Sequence, residues 1–320
     1  MRLGPMFHLP PPQYRGDGFQ AKPDDVRVRA SISIDDILSH RVYRVTQKTI
    51  LITGCSSGIG ECVALGLAKR GWRVFATCRK PADVARLAAA GLEALQLDVD
   101  DSASIDAALG EVIARTGGRL DALFNNAGFG QPGAAEDIPR AAMRAQFETN
   151  LFGAWELTNK VLPLMRAQGH GRIVFNSSIL GFAAMKWRGA YNASKYAMEG
   201  LCDTLRQELF GSGIHVSLIE PGPIRSRFRP NALEKFLANV DIEHSVHHEL
   251  YQKQLERLKK EGDAAPFTLG PEACLAVCIK ALESARPAAR YRVTTPTKLF
   301  WYLKRLLPSL TLDAVLRRAV

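Results

Sequence analysis

The stretch TILITGCSSGIG at 49–60 joins an apolar, β-branched run of strand length to a glycine turn, and helix-period sequence follows to Lys69. Gly54 permits a tight turn, Gly58 lets backbone approach a pyrophosphate, and Gly60 lets a helix pack closely on the strand. With Ser56, Ser57 and Ile59 between them, these glycines make a candidate phosphate cradle at a helix N-terminus, where N–H groups and dipole favour an anion. On either side of this turn the same alternation repeats. RVFAT (73–77), EALQL (93–97), DALFN (121–125), RIVFN (172–176), HVSLI (215–219) and YRVT (291–294) read as strands, and segments of helical length separate them. Glycines at 71, 91, 169 and 213 fall where helices are expected to end. Strands apolar on both faces, joined by helices, predict one α/β unit over 48–294: a Rossmann-type, doubly wound parallel sheet of about seven strands covered by helices on both faces. The insertion at 231–270, after the sixth strand, is expected to be helical and to lie over the ligand crevice as a lid.

The chain has 320 residues, 47% hydrophobic and 23% charged, which excludes disorder as its dominant state. No run approaches the roughly 18 apolar residues of a spanning helix, and no signal peptide is recognisable, so a cytoplasmic protein is expected. Cys55, Cys62, Cys78, Cys202, Cys274 and Cys278 show no C-x-x-C spacing and read as reduced thiols. The proline-bearing residues 1–47 read as an extended or disordered leader. The net charge of +10 is concentrated in 286–320, with eight Lys+Arg against one acid, so the body is nearly neutral and nucleic acid is not an expected partner. Within the basic extension 295–320, Leu299, Tyr302, Leu303 and Leu306 share one helical face, with Lys298, Lys304 and Arg305 elsewhere. That face is expected either to close over the cleft or a subunit contact, or to meet an anionic membrane through 297–320.

A dinucleotide fold usually carries an acid about 20 residues past the glycines; here the place reads Thr77-Cys78-Arg79-Lys80. A guanidinium forks onto a 2′-phosphate, so Arg79 points to NADP(H) rather than NAD(H). Farther on, Tyr191 is followed four residues later by Lys195, which puts the two on one helical face. Lowering a phenol from its usual value to about 7 takes roughly 4 kcal/mol, and an ammonium about 5 Å away contributes on the order of 3 kcal/mol.

The glycine turn at 53–60, Asp98-Val99, Asn125-Asn126-Ala127-Gly128, Asn150, Ser178, YNASK at 191–195 and Pro221-Gly222 occur in one order. On these motifs the sequence resembles the classical short-chain dehydrogenase/reductase family over about 48–230. It looks most like the 17β-hydroxysteroid and retinol dehydrogenase branch and bacterial NADP-dependent aldehyde reductases. The resemblance implies Tyr191 as proton donor in reduction and Lys195 as the group that lowers its pKa and holds the nicotinamide ribose. Ser178 would hydrogen-bond the substrate oxygen, with Ser177 a weaker claimant, and Asn150 would anchor a water leading from Lys195 to solvent. Asp98 would receive the adenine amino group with Val99 against the ring, and Asn126 would tie the central strands. Ala127 and Gly128 would bring backbone near the cofactor, while Pro221, Gly222, Ile224 and Ser226 would border the carboxamide. Homodimers or homotetramers through helices at about 140–168 and 190–211 are implied as well.

The segments placed at the nicotinamide, 129–131, 179–185, Trp187, Leu233, Phe236 and Leu237, are apolar. A hydrophobic carbonyl or alcohol such as a steroid, retinoid or aliphatic aldehyde is therefore the expected substrate. Arg225, Arg227 and Arg229 read as solvated charge or as a contact for an anionic tail. His244, His247 and His248 lack a clear ligand set, so no metal is expected. A 3-oxoacyl-carrier-protein reductase and a non-catalytic NADP sensor are the alternatives.

Overall fold

A computed structural model describes residues 47–263 and 265–318. The expected leader at 1–47 therefore lies, but for Gln47, outside the described residues. The strands are β1 (Thr49–Ile52), β2 (Arg73–Cys78), β3 (Glu93–Gln96), β4 (Ala122–Asn125), β5 (Gly171–Asn176), β6 (Ile214–Glu220) and β7 (Arg290–Arg292). All neighbours pair in parallel, in the order β3-β2-β1-β4-β5-β6-β7. The order reverses between β1 and β4, which opens a crevice at their carboxyl ends.

Period-2 alternation sorts the strand residues onto two faces. Leu51, Phe75, Leu123, Ile173, Phe175 and Leu218 pack with α3 (Ser102–Thr116), α5 (Gly153–Gln168) and α6 (Gly189–Glu208). On the other face Ile50, Ile52, Val74, Phe124 and Val174 meet α1 (Gly58–Lys69), α2 (Pro81–Ala89) and α9 (Glu272–Glu283). Each stripe is apolar because both sides of the sheet are covered.

Two local readings are corrected. The helix expected over about 140–168 is interrupted: α4 (Arg140–Phe147) leads into a π-type turn, Glu148–Phe152, before α5. Gly213 does not end a helix, since α6 stops at Glu208. It enters β6 at φ +78° with its Cβ direction 2.1 Å from the Gly169 carbonyl oxygen, a close approach of two loops that excludes a side chain.

Between β6 and α9 stand α7 (Phe228–Asn239) and α8 (His248–Lys259). They close on a small core of their own, in which Phe236 and Tyr251 are sealed with Ile138, Trp187 and Leu258. The Tyr251 hydroxyl donates to Asp137 and accepts the Ala134 N–H at 2.8 Å. Phe236 is thus committed to this core and Leu237 is 56% exposed, so neither lines a substrate wall as expected.

The C-terminal pair α10 (Thr295–Leu306) and α11 (Ser309–Arg318) packs Phe300, Leu303, Leu312 and Leu316 against Ile179, Leu180, Phe182, Met185 and Tyr191. The apolar stripe read from the sequence divides: Leu303 turns inward, whereas Leu299, Tyr302 and Leu306 remain exposed. Stacking explains the choice, because Trp301 is held between the Arg292 and Arg305 guanidinium groups, at 4.0 and 3.7 Å from its ring centre. Among the described residues no helix is long and apolar enough to cross a membrane.

Candidate active site

Each glycine of the turn abuts a neighbour that leaves no room for a side chain. A Cβ on Gly54 would stand 2.7 Å from the Ala127 Cα, one on Gly58 2.8 Å from the Ser226 Cβ, and one on Gly60 2.3 Å from the Gly54 carbonyl oxygen. Thr53, which carried no role in the sequence reading, fixes the floor: its hydroxyl accepts the Asn126 and Ala127 N–H groups, each at 3.0 Å. Asn126 replies by donating to the Thr53 and Gly54 carbonyls at 2.9 and 3.0 Å. These bonds lock the ends of β1 and β4 together beneath the cradle.

On the side toward β3, Arg79 is exposed at the end of β2 and makes no ion pair among the described residues. Asp98 folds into a local turn, accepting the Asp100 N–H at 3.2 Å while its own N–H donates to Ser104. Val99 is buried, and its carbonyl oxygen lies 2.1 Å from the Cβ direction of Gly153. Gly153 was missed in the sequence because its requirement comes from tertiary contact alone. Beside β6, the Pro221 carbonyl accepts the Ile179 N–H at 2.8 Å, and Gly222 abuts Thr294. Ile224 bridges to Leu269, and Ser226 packs on Gly58.

Tyr191 and Lys195 lie one turn apart on α6, the Lys195 ammonium 5.7 Å from the Tyr191 ring centre. Lys195 is 4% exposed and donates to the Asn176 carbonyl at 2.6 Å. Burial pushes its pKa down to about 8, opposed by the Glu199 charge. Burial pushes the Tyr191 phenol up to about 12, and the facing Ser178 hydroxyl is what draws it back. The two serine claimants are separated by direction: Ser178 faces Tyr191, while Ser177 faces Glu199 and the position beside Gly181. A ring the sequence did not single out, Phe228, stands edge-on to Tyr191 at 5.3 Å between centres.

Asn150 occupies the π-type turn and is fully buried. Its amide clamps the Phe129 backbone, accepting the N–H and donating to the C=O at 3.0 Å each, and donates to Ser194 at 3.2 Å. Ser194 in turn donates to the Tyr191 carbonyl at 2.9 Å. The extra residue of the turn is what aims Asn150 inward, and it links the loop after β4 to the helix that carries Tyr191. Asn176, another residue the reading passed over, donates to Asn126 at 2.9 Å and so joins the Lys195 contact to the glycine floor.

The remaining candidates disperse. His244 faces Asp241, His247 faces Glu136, and His248 faces the Ile242 carbonyl; among the described residues no three potential ligands converge on a metal position. Arg225 is held by Asp263 through two bonds of 2.9 Å, which removes it from an open cleft mouth.

The short chain dehydrogenase model matches residues 48–235. The oxidoreductase YbbO of Escherichia coli strain K12 is 47% identical over 86% of this chain and 96% of its own. Human 17-beta-hydroxysteroid dehydrogenase type 1 is 36% identical, covering 78% of each chain. A solved short-chain dehydrogenase from Streptomyces avermitilis superposes with a TM-score of 0.69 at 29% identity, over 86% of this chain and 98% of that one.

Proposed function

The chain belongs to the short-chain dehydrogenase/reductase family and is an oxidoreductase of that fold; we propose that it is an NADP(H)-dependent reductase of hydrophobic carbonyl compounds, working through Tyr191, Lys195, Ser178 and Asn150. The observation that carries this reading is the meeting of Tyr191 with Ser178 on one side and Lys195 on the other, at the carboxyl ends of the central strands. A nicotinamide dinucleotide fits the residues present, since the cradle at Gly54, Gly58 and Gly60 has no room for a Cβ and Arg79 is free for a phosphate. When bound, that cofactor supplies or accepts the hydride at the carbonyl carbon. Arg79 would hold the 2′-phosphate, Asp98 and Val99 the adenine end, and Ile224 and Ser226 the carboxamide end.

The protein's own part is to position and to move a proton. Ser178 donates a hydrogen bond to the substrate oxygen, and Tyr191 gives that oxygen its proton as negative charge develops there. A phenol pushed up by burial stays protonated through neutral pH, and it still transfers downhill to an alkoxide, the base of a far weaker acid. The protonated phenol is the form that reduction draws on near pH 7. Lys195 brings positive charge beneath the ring, and Asn150 keeps the loop after β4 and α6 in register. The apolar residues Met185, Trp187, Phe228 and Leu233 suit a substrate without charge near its carbonyl. The name of the human relative, a 17-beta-hydroxysteroid dehydrogenase, supports the same substrate character. Steady-state NADPH oxidation against a panel of steroid, retinoid and aliphatic carbonyls tests the proposal; absence of turnover across the panel overturns it.

Two finer parts have their own measurements. Arg79→Asp is expected to weaken NADPH by at least tenfold more than NADH, because it replaces a cation at the 2′-phosphate with an anion; equal losses would remove the NADP assignment. For the C-terminal pair, Leu299, Tyr302, Leu306 and Leu310 are exposed at 53%, 59%, 76% and 81% on a segment carrying Lys298, Arg317 and Arg318. We propose that this face rests on an anionic lipid surface, with the body's access to apolar substrate as the benefit. The protein is expected to float with phosphatidylcholine vesicles containing one third phosphatidylglycerol at low salt, and Leu306→Glu with Leu310→Glu to abolish flotation. Wild-type protein left in the pellet fraction would refute it. Exposed Phe152, at the end of the π-type turn, and Trp155, in the first turn of α5, are in the same reading where copies of the chain associate.

A further inference from the structure

Three arginines flank the place where α7 and α8 pack on the body: Trp187 and Ala190 beside Arg188, Ala232 and Leu233 a turn after Arg229, and Leu255 and Leu258 around Arg257 share one apolar cluster. Arg188 immediately precedes α6, three residues before Tyr191, and its backbone is bridged to Gly133. Its guanidinium reaches only the Lys186 carbonyl, at 3.3 Å, and burial with the Arg257 charge nearby depresses it to about 9. Arg257, on α8, touches Gln254 at 3.4 Å and is itself lowered by burial and by Arg229. Arg229, on α7, donates to the Gly262 carbonyl at 2.7 Å, and its Nε is buried with no partner. It directly follows Phe228, whose ring stands against Tyr191. Asp263, which feels the Arg229 charge, has both oxygens committed to Arg225.

Two other arginines withdrawn from water are compensated by carboxylates, Arg290 by Glu199, Asp203 and Glu220, and Arg292 by Glu220, whereas Arg172 bonds only the Gly171 and Ser284 carbonyls. None of Arg188, Arg229 and Arg257 forms an ion pair among the described residues. Guanidinium groups of like sign, partly desolvated and mutually repelling, are unfavourable until an anion joins them, and their planar forks match carboxylate and phosphate oxygens. Two of the three lie on the lid and one on the helix entry that carries Tyr191, so an anion between them would also hold the lid against the body.

We propose that this triad binds a carboxylate or phosphate at the far end of an apolar carbonyl substrate. The proposal rests on the reductase reading above and deepens it: the substrate is an amphiphile, with its carbonyl at Tyr191, its chain along Trp187 and Phe228, and its anionic head at Arg188, Arg229 and Arg257. The apolar segments named from the sequence then account for only the middle of the molecule.

The test compares decanal with the same aldehyde bearing a carboxylate or a phosphate monoester at its far carbon, by NADPH oxidation. At least one charged aldehyde is expected to exceed decanal by about tenfold or more in kcat/KM, as a charge-assisted contact should. The two charged arms identify which head is preferred. In Arg188→Gln and Arg257→Gln that ratio is expected to fall below about threefold. Decanedioate, which has no carbonyl to reduce, is expected to raise the melting temperature of the wild-type protein, whereas decane-1,10-diol does not. Equal kcat/KM for charged and neutral aldehydes in the wild type, a result that needs no variant to fold, would overturn the proposal, as would a ratio unchanged in both variants. Stabilisation by decanedioate with no turnover of any aldehyde would instead defeat the reductase reading and leave the anion site standing.

Discussion

Tyr191→Phe is expected to lower kcat for carbonyl reduction by about a thousandfold, with NADPH affinity changed by less than about threefold. The substitution removes one oxygen and keeps the ring, so the edge-on contact with Phe228 at 5.3 Å and the position of Lys195 beside it survive. What disappears is the proton that Ser178 and Tyr191 together present to the developing alkoxide. The direction of the phenol's pKa sharpens the prediction. Because burial raises it to about 12, wild-type reduction should stay nearly level through neutral pH, while alcohol oxidation, which needs the deprotonated oxygen, should climb as pH rises. In Tyr191→Phe the residual rate should lose that climb. Retention of most of the wild-type kcat would assign proton transfer to another group.

Gly60→Ala should cost the fold about 3–5 kcal/mol, a melting temperature lower by about 6–15 °C, together with loss of NADPH binding. Its Cβ would lie 2.3 Å from the Gly54 carbonyl oxygen and 2.5 Å from Asn126 Nδ2. Neither neighbour can yield: the carbonyl belongs to the turn, and the amide is already bonded to the Thr53 and Gly54 carbonyls. Gly110 in α3 supplies the control, since nothing lies within 4 Å of its Cβ direction. Gly110→Ala should leave the melting temperature unchanged or raise it, as alanine favours a helix interior. Differential scanning calorimetry with and without NADPH separates the two substitutions, and similar effects from both would show that the cradle is looser than its contacts imply.

The sheet was legible because both of its faces are covered, so that TILIT, RVFAT and HVSLI stand out as apolar runs whatever their neighbours. The order of Gly54, Asn126, Ser178, Tyr191 and Lys195 was legible for a related reason: the first three follow strand carboxyl ends that the topology gathers, and α6 brings Tyr191 and Lys195 to the end of β5. What escaped depends on direction rather than identity. Phe236 and Leu237 are both apolar and adjacent, and only the core of α7 and α8, built on Tyr251, decides that one is sealed and the other exposed. Leu303 and Leu306 differ likewise once Trp301 is clasped by Arg292 and Arg305. Arg229 was visible beside Arg225 and Arg227, but Arg188 and Arg257 lie far from it in sequence, and no local pattern relates them. Ser177 and Ser178 could be ranked by spacing alone; their opposite directions required the strand end itself.

The π-type turn at Glu148–Phe152 sets a phase as well as an orientation. A helix advances about 100° per residue, so one extra residue in the turn rotates everything downstream by that angle relative to an unbroken helix. Upstream, Ala142 and Met143 face the core of α7 and α8; downstream, Leu157 and Val161 face the sheet. One continuous stretch of chain therefore serves both the cluster around Tyr251 and the sheet. Length in this segment is constrained more tightly than composition: loss of a single residue between 148 and 152 would swing Ala142 and Met143 of α4 away from their partners around Tyr251 even if every remaining side chain were kept.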